Sequence, residues 1–200
     1  MSGTACHGSL NTILENCRDS MQGESWEMVD LGAGSGVVVA MSLTYGASLA
    51  VGIELKNEGQ DKLFSAAMKQ LETFGVEASR ASIRYGVNIA NCNVLPTLQT
   101  LNRPMRKVVF AFCDGFAEGD RFIMFGLIGR DARVSVFMCS CGKGKGDQFS
   151  TPESVLQALN ASATLAGTRP FEPRSPVPIL TVHMYQSHSQ KSLHVFIRQA

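Results

Sequence analysis

The chain has 200 residues, 44% of them hydrophobic and 18% charged, with a formal net charge of +1. These proportions fit one folded domain with a sizeable core, and the near-neutral balance excludes a long-range field that draws in a phosphate backbone or an anionic membrane. The six cysteines lack CxxC spacing and "MSGTACHGSL" lacks the basic and apolar regions of a secretory signal, so the expectation is an intracellular protein with reduced thiols and no structural metal.

Taken in chain order, "SLNTILENCRDSM" places Leu10, Ile13, Leu14 and Cys17 at helical spacing, which predicts an amphipathic helix. "SWEMVDLG" reads as a strand ending at glycines. From Asp30 to Glu54 the intervening residues are uncharged, enough in length to cross a bilayer, which takes about 20 apolar residues. Gly32, Gly34, Gly36, Gly46 and Gly52 interrupt that run and divide it into turn, helix and second strand. Glu58 to Phe74 carries Leu63, Ala66, Ala67, Gln70, Leu71 and Phe74 at helical spacing, with Gly75 as a C-cap. "ASIRYGVNI" predicts a third strand and "VLPTLQTL" a short helix broken near Pro96.

"KVVFAF" is a continuous apolar run of the kind buried in a parallel sheet, followed by a turn at "CDGF" and a helix in "EGDRFIMFGLIG" closing at Gly129. "RVSVFMCS" supplies a fifth strand, "CGKGKGDQF" a basic loop, and "STPESVLQALNAS" a helix with Thr151 as N-cap and Pro152 at its first position. The tail segments "ATLAGTRPF", "PILTVHMYQS" and "SLHVFIRQ" read as three strands, the last two forming an antiparallel hairpin. Strands alternating with helices predict an open α/β sheet, mostly parallel, with helices on both faces and a ligand beyond the carboxyl ends of the strands. A single domain is expected over 1–200, comprising an N-terminal helical segment (1–24), a cofactor-binding core (25–145) and a C-terminal helix with antiparallel strands (146–200).

The glycine turn sits at that ligand-binding edge. It departs from the dinucleotide pattern GxGxxG, because Val37 stands at the third glycine position and the strand ends in Asp30, a carboxylate that repels a pyrophosphate. The P-loop pattern is also absent, and "GKGKGD" does not replace it. The turn therefore suits a nucleoside without a pyrophosphate. Glu54, ending the second strand, can accept both ribose hydroxyl hydrogens, while Asp30 can reach a ligand ammonium. An amino-acid end, a ribose and an adenine together describe S-adenosylmethionine.

"VDLGAGSG" followed by "VGIEL" resembles the first two motifs of class I S-adenosylmethionine-dependent methyltransferases. That resemblance implies a Rossmann-like, mostly parallel seven-stranded sheet with a C-terminal antiparallel hairpin. It also implies S-adenosyl-L-methionine as cofactor, held by Asp30, Gly32, Ala33, Gly34, Gly36, Glu54 and Leu55. Asn88 and Ile89 fall at the third motif, where an acidic residue is usual and an asparagine carbonyl can still accept from the adenine amine. Asn88 also suits a plain turn.

A narrower resemblance, to the disruptor of telomeric silencing family of histone lysine methyltransferases, rests on "HGSLNTILENC" ahead of the glycine motif and "VVFAFCDGF" after it. Gly8, Leu10 and Phe116 fit that family's pattern, whereas Ser9 replaces a glutamate and Phe112 and Cys113 replace two asparagines. It implies a protein amine as acceptor, a histone or nucleosome as partner, and a nuclear setting. Asp114 is then the candidate group that orients the amine or accepts its proton, with Cys113 and Phe116 lining the same pocket. The rival for Asp114 is a turn residue, and for Cys113 and Phe116 a place in the core. The chain has no NPPY-type element for a flipped base. An RNA or DNA acceptor, with a partner subunit supplying positive charge, and a catalytically silent domain that binds S-adenosylmethionine or a partner are the alternative readings.

Overall fold

The computed structural model describes residues 5–56, 59–89, 105–142, 146–175, 179–184 and 190–199. At its centre β1 (Trp26–Leu31) pairs in parallel with β2 (Leu49–Glu54) on one side and β4 (Arg106–Ala111) on the other. β3 (Ala81–Tyr85) extends the sheet beyond β2, and β5 (Val134–Cys139) extends it beyond β4, both in parallel. β8 (Gln190–Arg198) runs antiparallel to β5 and carries β6 (Phe171–Pro173) and β7 (Ile179–His183), each antiparallel to it. The order is β3-β2-β1-β4-β5-β8-β6, with β7 also on β8. The chain starts at β1 and builds outward in both directions, so the switch point lies between β1 and β4.

Among the described residues the sheet has eight strands, against the seven implied by the family resemblance, and the register explains the difference. Pro173 pairs with Phe196 and Ile179 with His194, so β6 and β7 follow one another along β8 and together take the place of one edge strand. The C-terminal hairpin is β7–β8.

β1, β4 and β5 are buried at both parities because helices cover both faces of the sheet. Trp26, Met28, Val108, Phe110 and Met138 face α1 (His7–Ser20), α2 (Val37–Thr44) and α3 (Gln60–Glu72). Val29, Val109 and Phe137 face α4 (Glu118–Arg130) and α5 (Pro152–Ala166), the helices being numbered among the described residues. Leu10, Ile13, Leu14 and Cys17 of α1 are all buried, as their spacing predicts.

Three local expectations are corrected. α3 begins at Gln60 and its buried stripe is shifted: Ala67 and Leu71 pack inward as expected, joined by Phe64 and Met68, while Leu63 and Phe74 are exposed. Gly129 does not stop α4, which continues to Arg130; it is a contact residue, lying against the Leu159 carbonyl and Ser162 of α5 with no room for a Cβ. "ATLAGTRPF" is not a strand: its first four residues end α5, which runs to Ala166 and closes on a left-handed Gly167, leaving only Phe171 of that segment in a strand. At the other end of α5, Thr151 caps as predicted, its Oγ1 accepting from the Ser154 amide at 3.2 Å.

The uncharged run between Asp30 and Glu54 resolves into turn, α2 and β2, and among the described residues no helix is long and apolar enough to cross a membrane. The predicted helix "VLPTLQTL", most of the "KGKG" loop, Cys92 and His188 lie outside the described residues.

Candidate cofactor and acceptor site

Asp30 and Glu54 end adjacent parallel strands, and the glycine turn is laced between them. The Gly32 and Ala33 amides both donate to the Ile53 carbonyl, at 2.8 and 3.1 Å, tying the turn to β2. The Gly34 amide donates to Glu54 Oε2 at 2.8 Å, while Oε1 accepts from the Leu55 and Lys56 amides at 2.8 and 3.2 Å. Backbone donors therefore hold the Glu54 carboxylate at the lip of the turn. Two glycines in that turn have a steric reason. Gly36 begins α2 in a left-handed conformation (φ 74°) with Ile83 and Phe64 occupying the place of a Cβ. Gly32 (φ 82°) has the Phe116 ring tip 3.0 Å from where a Cβ would stand.

Asp30 shares the parity of Trp26 and Met28, so it faces α1 and α2 and is buried to 3% exposure. Among the described residues no hydrogen bond or cation reaches its carboxylate. Burial, and secondarily the negative charge of Glu54, push its carboxyl up to about 8. An acid kept protonated for want of a counter-charge is a site that gains when a cation arrives. The space above it is a cleft of about 420 Å³, open mouth included, walled by Ala5, Leu10, Val38, Phe110 and Phe112 as well as the turn.

Beyond β3 the Val87 amide donates to the Glu54 carbonyl at 3.3 Å, which folds Asn88 and Ile89 back toward the same edge. Asn88 is half-buried and Ile89 joins the core on the α4 side. The nine residues expected to hold a cofactor thus lie along the carboxyl edge of β1 to β3 and the segments that follow those strands.

Asp114 stands apart from the other two acceptor-end candidates. Phe116 covers Gly32 and, like the fully buried Cys113, packs with the core on the α4–α5 side. Cys113 lies beside Cys139, whose thiol is pushed well up by burial and by Cys113 itself. Asp114 follows β4 directly and is nearly buried, its side chain 9% exposed. Lys191 Nζ donates to its two carboxylate oxygens at 3.0 and 2.8 Å, and Ser140 Oγ donates to Oδ1 at 2.9 Å. The same Nζ lies 4.8 Å from the centroid of the Phe112 ring, which forms part of the cleft wall.

Sequence reading did not single out Lys191, Ser140 or the wall residues Ala5 and Phe110. One signal for Lys191 was present: it shares the parity of Leu193 and Val195 along β8, and a lysine on the buried parity of a strand calls for a partner. Ser9, at the position of the family glutamate, accepts from the His183 amide at 2.9 Å and from the Cys6 thiol at 3.3 Å, so it fastens α1 to β7. Among the described residues no group of three or more His, Cys, Asp or Glu is arranged to hold a metal ion.

No family model and no curated relative matches the chain. Its fold, by contrast, is similar to those of solved methyltransferases. Magnesium protoporphyrin IX methyltransferase from Synechocystis PCC 6803, crystallised with bound S-adenosylmethionine, matches with a TM-score of 0.58 at 10% identity, over 96% of this chain and 79% of that one. The methyltransferase domain of a bacterial Hen1 gives 0.55 at 13% identity, over 94% and 96%. A putative RNA methyltransferase from Pyrococcus horikoshii gives 0.57 at 14% identity, over 95% and 81%. The mixed, mostly parallel sheet with its antiparallel end is therefore the class I methyltransferase fold.

Proposed function

We propose that this chain, as one domain over 1–200, is an S-adenosylmethionine-dependent methyltransferase. The observation that carries the reading is the convergence of two carboxylates on one glycine turn at the switch point of the sheet: Asp30 buried without a counter-charge, Glu54 held by the Gly34 amide. These residues fit the cofactor's chemistry. Asp30 meets the ammonium of the amino-acid end, and Glu54 receives the ribose hydroxyls. The turn's missing side chains admit the backbone close to the ligand, and Leu55, Asn88 and Ile89 border the adenine. When bound, the cofactor supplies an electrophilic methyl on a sulfonium. The chain's own task is to place the acceptor in line with it and to exclude water. We assign the acceptor end to the ring of Phe112, which lines the cleft, to Asp114 two residues beyond it, and to Phe116 over the turn.

For the acceptor, the histone-lysine reading has little support. The solved structures that share the fold are described by porphyrin and RNA chemistry, and Ser9 is committed to the α1–β7 junction. A second reading, an RNA acceptor, is favoured by the Pyrococcus neighbour's description and requires positive charge beyond the net +1 of this chain.

The decisive measurement is ligand-induced stabilisation. A cofactor binding only the folded state should add about 2.7 kcal/mol at one hundred times its Kd. Glu54→Ala should remove most of that gain by taking away the ribose contact, and an undiminished gain in the variant overturns the assignment. Methyl-labelled cofactor offered separately with protein, RNA and DNA then reports the acceptor class.

A further inference from the structure

Lys191 occupies a seat built by the segments that follow β4 and β5. The Asp114 carboxylate follows β4, the Ser140 hydroxyl follows β5 and orients that carboxylate, and the Phe112 ring supplies an aromatic face. A carboxylate gripping an ammonium through both oxygens, with a ring face alongside, is a recognition set for an alkylammonium group. The seat adjoins the cleft through Phe112. Parity places it on the cleft side: Phe112 packs with the α1–α3 core, whereas Cys113 points into the other. Its occupant comes from the strand that closes the sheet, on an unbranched four-carbon stem.

We propose that Asp114, Ser140 and Phe112 form the acceptor's cation seat, that the acceptor carries a primary alkylammonium group, and that Lys191 fills this seat as an internal stand-in until the acceptor displaces it. This rests on the methyltransferase reading above and names the chemical class of its acceptor. An acceptor that puts an anionic group into the seat fits poorly, since the Asp114 carboxylate repels it, so an alkylammonium acceptor stands against the RNA reading above. A neutral one gains little, because the Ser140 hydroxyl already donates to Oδ1 and a neutral group brings no charge to replace the ammonium.

The test removes the stand-in and offers its chemistry from solution, without cofactor, so that it can fail independently of the methyltransferase reading. Lys191→Ala leaves Asp114 nearly buried without its ammonium, and n-butylammonium chloride should then bind where the side chain was. Thermal unfolding should show a Tm gain of about 3 °C at ten times its Kd, over sodium chloride at equal ionic strength. The native chain, with the seat filled, should show a smaller gain, and Lys191→Ala combined with Asp114→Asn should show none. If Lys191→Ala fails to fold, Lys191→Met keeps the stem's packing and is titrated with ammonium chloride, whose ion replaces only the missing head, with the gain over sodium chloride read from its urea midpoint. Equal stability of the single variant in butylammonium and sodium chlorides overturns the seat, as does a gain that survives Asp114→Asn.

Discussion

At the scale of single residues, Asp30 decides the most. Its carboxyl is raised from an ordinary value of 3.8 to about 8, so the folded chain holds a proton there that the unfolded chain releases. Between those limits the unfolded state binds fewer protons, and the ligand-free protein must lose stability as pH rises from about 4 to about 8. The contribution is fully present below the unfolded value and gone above the folded one. Cofactor binding has the opposite sign. A ligand ammonium favours the ionised carboxylate, so binding expels the proton and affinity should climb by up to about tenfold per pH unit until pH 8. Calorimetry across pH 6 to 9 in buffers of different ionisation enthalpy reads both slopes. Asp30→Asn should flatten the affinity profile and make the ligand-free protein less sensitive to alkali; an unchanged profile removes Asp30 from the ammonium's environment. Much of this residue's placement was legible in the sequence, because Asp30 and Glu54 belong to one strand–turn–helix–strand unit whose geometry is local. The same locality was missing for Asp114, whose partner Lys191 lies 77 residues away and meets it only once β8 is paired in register.

At the scale of elements, the α4–α5 contact shows how close packing overrides propensity. Alanine at a helix interior is favoured over glycine by about 1 kcal/mol, so Gly126→Ala, whose Cβ meets only Ser162 Oγ at an ordinary 3.7 Å, should stabilise by up to that amount. Gly129→Ala drives a Cβ into the Leu159 carbonyl and to 2.9 Å from Ser162 Cβ. Overpacking of about 1–3 kcal/mol exceeds the propensity gain, so this variant should lose about 1 kcal/mol or more. Urea midpoints moving in opposite directions would bear out the contact, and two shifts of one sign would refute it. From sequence alone Gly129 looked like a helix end, since a glycine that stops a helix and one that lets two helices touch leave the same letter. α3 poses a related ambiguity. Leu63 with Phe74, and Phe64 with Met68, belong to overlapping stripes one residue apart, and the choice was made by Gly36, whose missing Cβ leaves the space that Phe64 and Ile83 fill. β1, β4 and β5 carried no such ambiguity, because strands buried on both faces read the same in either parity.

At the scale of the whole molecule, the cleft is closed by segments from opposite ends of the chain. Ala5 and Leu10 form part of its wall, and they are held by β7: Ala5 bridges Met184, the Cys6 amide donates to the His183 carbonyl at 2.7 Å, and the His183 amide donates to Ser9 Oγ at 2.9 Å. β7 is in turn the neighbour of Lys191 on β8, through Val182. The Ala5–Leu10 wall of the cleft and the Asp114–Lys191 pair therefore share one hairpin, and strain at either should be felt at the other. Ser9→Ala isolates this coupling, because it deletes one hydroxyl and leaves the core residues of α1 in place. A lost hydrogen bond of about 1 kcal/mol, felt in the bound state that needs the wall closed, corresponds to a cofactor Kd raised about fivefold. Hydrogen exchange supplies the mechanism test. Cofactor should protect the Cys6 and His183 amides together with that of Gly34, and in Ser9→Ala the first two should lose that protection while Gly34 keeps its own. Protection confined to the glycine turn in the native chain would mean that the junction of α1 and β7 stands apart from ligand binding, and that the two ends of the chain meet there for stability alone.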